Sequence, residues 1–241
     1  MGKFDARALR EHFLESLRAN FPIVLLASVI STVGIIFYFI ETFGVPLTSI
    51  LGLTPSTPWG IFTLMFVHDG WNHLSNNVMT IWAWTGLALL LDSMHSQADR
   101  RRRAVFFVAV VLTSAIMAHS LWFAMVLISG AEMQNPSVGA SGVTFAFGGA
   151  VLGLALMNGR DAISKRQVSD QRKKANFVMM INFLVAAMIA VLVLSDPAAF
   201  IAKGQANHFG HGVSFIFGLF GILLKENFVP MMKGVIARWQ Q

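Results

Sequence analysis

Long apolar runs separated by short polar stretches dominate the chain. The first run, Pro22 to Ile40, contains no charged residue. A helix needs about 20 predominantly apolar residues to cross a bilayer, and this run is of that length. Five more follow at His73–Leu91, Ala104–Ser129, Gly139–Met157, Asn176–Leu194 and His208–Leu224. The pattern predicts an all-α polytopic membrane protein with six transmembrane helices. Ahead of them, Phe4, Leu9, Phe13 and Leu17 recur at helical spacing among basic residues. That predicts an amphipathic helix lying on the membrane surface. Beyond the last run, Met231, Met232, Val235, Ile236 and Trp239 share one helical face, as in an interfacial segment. The expected layout is a 1–20 cytoplasmic amphipathic segment, a 21–225 six-helix domain and a 226–241 cytoplasmic tail.

The connection from Glu41 to Asn72 breaks the pattern. It holds Pro46, Pro55, Pro58, Gly52, Gly60 and Gly70, which argue against another full span. It has no Lys or Arg, yet it carries Ile50, Leu51, Leu53, Trp59, Ile61, Phe62, Leu64 and Phe66. The expectation is short helices half-embedded in the outer leaflet.

Composition agrees with the pattern. Hydrophobic residues make up 55% of the chain and charged residues 12%, against about 25% charged in soluble domains. Without cysteine there is no disulfide and no thiolate metal site. The formal charge of +6 is explained by topology rather than nucleic acid. With six spans, all but one of the 18 Lys and Arg fall on one side, Lys203 being the exception. Positive charge gathers in cytoplasmic loops, so both termini are expected in the cytoplasm of what is expected to be the cell membrane. The long polar N-terminal stretch, followed by no A-x-A site, predicts no cleavable signal peptide. Arg100–Arg103 is expected to act as a stop-transfer and lipid-headgroup anchor.

Under this topology three polar clusters lie near the non-cytoplasmic mouths of their helices: His68, His73 and Asn77; Gly139, Ser141 and Gly142; His208 and His211. A polar side chain within a bilayer is costly unless it faces protein or water. His73 and Asn77, four apart, share a helix face as hydrogen-bond donors. Ser141 needs an adjacent base to act as a nucleophile. His211 suits that role, because Ser214 and Gly218 follow at i+3 and i+7 and make a small-residue face. His208, three residues earlier, lacks that spacing. Gly142, Ala146, Gly149 and Gly153 offer a matching face on the fourth helix. No acid is evident for His211, since Asp69 and Asp196 lie in outer loops, so a Ser–His dyad is predicted. Phe145, one turn after Ser141, is expected against the histidine ring. Asn77, His73 and the Ser141 backbone N–H are expected to bind an oxyanion. His68 is expected to stabilise the first loop, and His119 to form hydrogen bonds inside the bundle.

These motifs resemble the rhomboid intramembrane serine proteases from Trp59 to about Leu224. The matching residues are His68-x4-His73-x3-Asn77, Gly139-Ala140-Ser141-Gly142 and Gly210-His211-Gly212-Val213-Ser214 with Gly218. The resemblance implies a rhomboid-like bundle with a membrane-embedded first loop. It implies Ser141 as nucleophile, His211 as base, and His73 and Asn77 as oxyanion-hole donors. Three positions depart from the common pattern: Ser214 stands for Gly, Phe145 for Tyr, and Trp59-Gly60 for Trp-Arg. The implied activity is cleavage of transmembrane protein substrates, with lipids as surroundings, no cofactor and no metal. Three other readings stand beside it. One is a non-proteolytic rhomboid-like protein that binds membrane helices. Another is a metalloprotease using His68, His73 and His211, which lacks an H-E-x-x-H motif. The last is a small transporter, for which no internal repeat is visible.

Overall fold

The computed structural model describes residues 6–92, 97–130, 136–165, 172–195 and 208–224. The expected 226–241 tail, Lys203 and Asp196 lie outside the described residues. The elements are α1 (Ala6–Ala19), α2 (Phe21–Thr42), α3 (Leu47–Leu51), α4 (Gly60–Thr63), α5 (Trp71–Asp92), α6 (Gln97–Ser129), α7 (Ser141–Lys165), α8 (Arg172–Ser195) and α9 (His208–Leu223). A 3₁₀ turn, Leu64–Phe66, follows α4. Among the described residues there is no strand, only isolated bridges. The chain is a helical polytopic membrane protein. Among the described residues, four helices are long and apolar enough to cross a bilayer, within α2, α5, α6 and α7. The described apolar parts of α8 and α9 are shorter, Asn176–Ile189 and Phe209–Leu223.

α7 is the central helix. Of its apolar window 78% is buried, against 28–44% for the other three long helices. Its small residues explain why. A Cβ on Gly149 would overlap the Phe215 carbonyl of α9, and one on Gly218 would overlap the Ala146 carbonyl of α7. A Cβ on Gly153 would stand 2.8 Å from Ile222 Cβ. Without side chains at these points the two backbones touch, and dispersion contacts replace a hydrophobic drive that lipid does not supply. Gly142, however, is not part of that seam. A Cβ there would overlap His119 of α6, so Gly142 faces α6 instead of the expected α9. By helical period Gly142 lies within about 40° of the Ala146–Gly149 stripe, so the face is the same and the neighbour changes: beside the first turn stands His119 of α6, where α9 stands beside Gly149 and Gly153.

The Glu41–Asn72 connection folds into α3, α4 and the 3₁₀ turn, as its Pro and Gly content predicts. Its polar groups bond within the connection. Trp59 Nε1 donates to the Ile50 carbonyl at 2.9 Å, Thr57 Oγ1 to that of Gly52 at 2.6 Å, and Thr63 Oγ1 to that of Leu51 at 2.6 Å. Phe43, Ile50, Trp59, Phe62 and Trp71 point outward.

At the opposite end of the bundle, Arg103 Nε donates to Asp92 Oδ1 at 3.1 Å and Arg103 Nη2 to Asn158 Oδ1 at 3.0 Å. Asn158 Nδ2 donates to the Leu91 carbonyl at 3.1 Å. Half of the arginine run therefore departs from the headgroup-anchor expectation. Arg101 and Arg102 are exposed, but Arg100 is buried and Arg103 turns inward. The run lies in the first turns of α6 rather than in a loop. Helical periodicity splits it between two faces, and the buried Asp92 holds Arg103.

Candidate active site

The helices α5, α7 and α9 all begin at one end of the bundle. That convergence directs three helix N-termini, with their unpaired N–H groups and positive dipole ends, toward one place. Ser141 is the first residue of α7 and His211 lies in the first turn of α9. Ser141 Oγ and His211 Nε2 are hydrogen-bonded at 2.7 Å, across 70 residues of sequence. Phe145 lies parallel to the His211 ring, with centroids 4.5 Å apart and planes 9° apart. Both predicted neighbours of the histidine are therefore in place, and Ser141 and His211 are each partly exposed. Ser214 is fully buried, and its hydroxyl has no hydrogen-bond partner. The side chain of His208 lies outside what the structure describes.

The turn before α7 is held from the first connection. Leu53 and Ser137 exchange two backbone hydrogen bonds, of 2.9 and 3.0 Å, and Gly139 N–H donates to the Leu64 carbonyl at 2.9 Å. Gly139 has φ of +106°, a region that favours glycine. A Cβ there would also stand 2.5 Å from His73 Nε2 and 3.4 Å from Asn77 Nδ2. The glycine thus lets both expected oxyanion donors approach the backbone that leads into Ser141. The Ser141 N–H belongs to the first turn of α7, where amides have no partner within the helix.

His68 does more than stabilise its own loop. Its Nε2 accepts a hydrogen bond from Ala140 N–H at 3.2 Å and from Asn77 Nδ2 at 3.1 Å. One buried imidazole therefore ties the residue before the serine to one of the expected oxyanion donors. Accepting at Nε2 requires the neutral ring with its proton on Nδ1. Burial, reinforced by the neighbouring His73, pushes the His68 pKa down to about 4. The native ring therefore stays neutral while an unfolded histidine, with a pKa of about 6.5, takes up a proton. The stability this gives is fully present above about pH 6.5 and is lost as pH falls through about 4. The expected loss across that window is roughly 3 kcal/mol. Thermal midpoints in detergent between pH 7 and pH 4 will show this slope in wild type and a smaller one in His68→Gln. Equal slopes in the two proteins would refute the assignment.

The sequence offered no acid for His211, and Asp69 goes elsewhere. Its Oδ1 accepts from His73 Nδ1 at 2.6 Å. The available signal was positional: Asp69 lies four residues before His73, in the bend that leads into α5. Among the described residues, no three His, Asp or Glu side chains converge as a metal-binding set.

A polar site at the convergent ends of apolar helices, with a serine hydroxyl on an imidazole, defines a class of helical membrane protein with a serine–histidine pair at one end of its bundle. Residues 55–226 match the family model described as Rhomboid domain. The chain belongs to the rhomboid family. Comparison with curated proteins gives no match, and comparison with solved structures gives none.

Proposed function

We propose that the protein is an intramembrane serine endopeptidase that cuts within or next to the transmembrane segments of protein substrates by a Ser141–His211 dyad. The observation that carries this reading is the 2.7 Å hydrogen bond from Ser141 Oγ to His211 Nε2. In the proposed reaction His211 Nε2 takes the hydroxyl proton as Oγ attacks the scissile carbonyl carbon. The carbonyl oxygen becomes an oxyanion, received by the Ser141 N–H, His73 and Asn77. His211 passes its proton to the leaving amine as the C–N bond breaks, leaving an acyl-Ser141. A water, deprotonated by His211, then attacks the acyl carbon and releases the serine. The chemistry uses no cofactor.

On this reading α2, α5, α6, α7, α8 and α9 are the six spans, α1 lies on the cytoplasmic surface, and both termini are cytoplasmic. The dyad opens to the non-cytoplasmic side. The α3–α4 connection sits in the outer leaflet, and the side-chain bonds to its Ile50, Leu51 and Gly52 carbonyls support that placement, since lipid supplies no hydrogen bonds. A substrate helix must unwind near that face to expose a carbonyl, so small and helix-destabilising residues are expected at the cut.

A fluorophosphonate probe tests the nucleophile without a known substrate. Wild-type protein in detergent is expected to be labelled at Ser141, and Ser141→Ala to remain unlabelled. An unlabelled wild type would favour the non-proteolytic helix-binding alternative. Equal labelling of both proteins would place the reactive serine elsewhere.

A further inference from the structure

We propose that Asp69 is a positioning residue for His73, holding its ring so that Nε2–H faces the oxyanion at Ser141. The inference rests on the protease reading and adds a residue to it. Its starting point is the 2.6 Å contact between Asp69 Oδ1 and His73 Nδ1. That bond spans one turn, and its partners are exposed, 68% for the Asp69 side chain and 33% for that of His73. An exposed pair of this kind contributes little to folding. Its consequence is instead the direction of the other ring nitrogen.

With Nδ1 on the carboxylate, Nε2 is the edge turned toward the serine turn, against the Gly139 backbone. An oxyanion needs a donor there. A neutral imidazole that donates from Nδ1 has only a lone pair on Nε2, and a lone pair repels an oxyanion. A ring that donates from both nitrogens is an imidazolium, and the Asp69 carboxylate balances its charge. The ring thus joins a carboxylate to a developing oxyanion, as an aspartate-held histidine does beside a nucleophile.

The surroundings fit this charge state. Among the described residues, the titratable groups placed near His73 are Asp69 and His68 from the preceding connection, and His211, which α9 brings to Ser141 two residues beyond Gly139. The His68 ring stands edge-on to His73 with centroids 5.1 Å apart. Because His68 Nε2 accepts from Ala140 and Asn77, His68 is neutral and puts no second positive charge beside His73.

The test is steady-state cleavage of a transmembrane substrate in liposomes, across pH, by wild type, Asp69→Asn, Asp69→Glu, His73→Ala and the Asp69→Asn/His73→Ala pair. Removing a whole oxyanion donor costs about 10²–10³-fold in kcat, which bounds the effect of disturbing one. Asp69→Asn is expected to lower kcat about tenfold with KM nearly unchanged. Asp69→Glu is expected to recover part of the rate. In the His73→Ala background Asp69→Asn is expected to add nothing, since the two act through one ring. Asp69→Asn with unchanged kcat would overturn the role, as would an equal loss with and without His73. If wild type neither cleaves nor takes the fluorophosphonate, the protease reading itself fails. An active wild type beside an unaltered Asp69→Asn rejects this inference alone.

Discussion

Ser141→Ala and His211→Ala are each expected to lower the cleavage rate of a transmembrane substrate by about 10⁶-fold, and the double variant to be no worse than either. The hydroxyl and the imidazole share one proton across a 2.7 Å hydrogen bond. Removing the imidazole leaves a hydroxyl that is not ionised at neutral pH, and removing the hydroxyl leaves a base with nothing to activate. Neither half has an independent route to the acyl intermediate, so the losses do not add. The proposed oxyanion donors, on α5 and in the serine turn, are untouched in all three variants. A residual rate about 10³–10⁴-fold above the uncatalysed reaction is therefore expected. The measurement is cleavage by purified protein in liposomes. Losses that multiply in the double variant would mean that the two residues act separately, and full activity in either single variant would end the dyad mechanism.

The second large effect is expected far from the chemistry. Gly149→Ala places a Cβ on the Phe215 carbonyl at the α7–α9 seam. The obstacle is backbone, so no side-chain rotation relieves it, and α9 must move. Overpacking of this kind costs typically about 1–3 kcal/mol. The rate is expected to fall further than stability, because α9 carries His211 and a displacement of about 1 Å can cost about 10²-fold in rate. Gly159→Ala on the same helix is the control. Nothing lies within 4 Å of a Cβ there, and replacing glycine by alanine in a helix is worth about 0.5–1 kcal/mol of added stability. Thermal midpoint and cleavage rate, measured on both variants, check this pair. Equal behaviour of the two would show that the seam does not set the position of the dyad.

The glycine stripes were visible before the contacts were, because small residues at i, i+3 and i+7 have few uses in a membrane helix beyond close approach. The Phe145–His211 stack was legible for a similar reason, since Phe145 lies one turn from Ser141 and any ring on Ser141 must meet it. The fates of Asp69 and Arg103 were not legible. Each stood in a polar stretch that read as solvent- or headgroup-facing, and each turned out to be bound to a specific neighbour, His73 and Asp92. Loop composition reports that a residue is outside the apolar runs, but not which way the first helical turn aims it. Gly142 was misplaced likewise: its place in the stripe pointed to α9, but at the first turn of α7 it is His119 of α6 that lies against that face.

The amino-acid order alone determined the membrane class and the apolar runs, and it singled out Ser141, His211, His73 and Asn77 as the candidates for the site. It did so because a bilayer penalises every polar side chain that has no task, so those present in the runs stand out. What only the tertiary structure decided is which partner each of them takes. The Ser141–His211 bond joins residues 70 apart and the Ala140–His68 bond residues 72 apart. No local pattern encodes such pairings. They follow from the packing of α7 against α9, and from backbone hydrogen bonds that strap the first connection onto the turn before the serine.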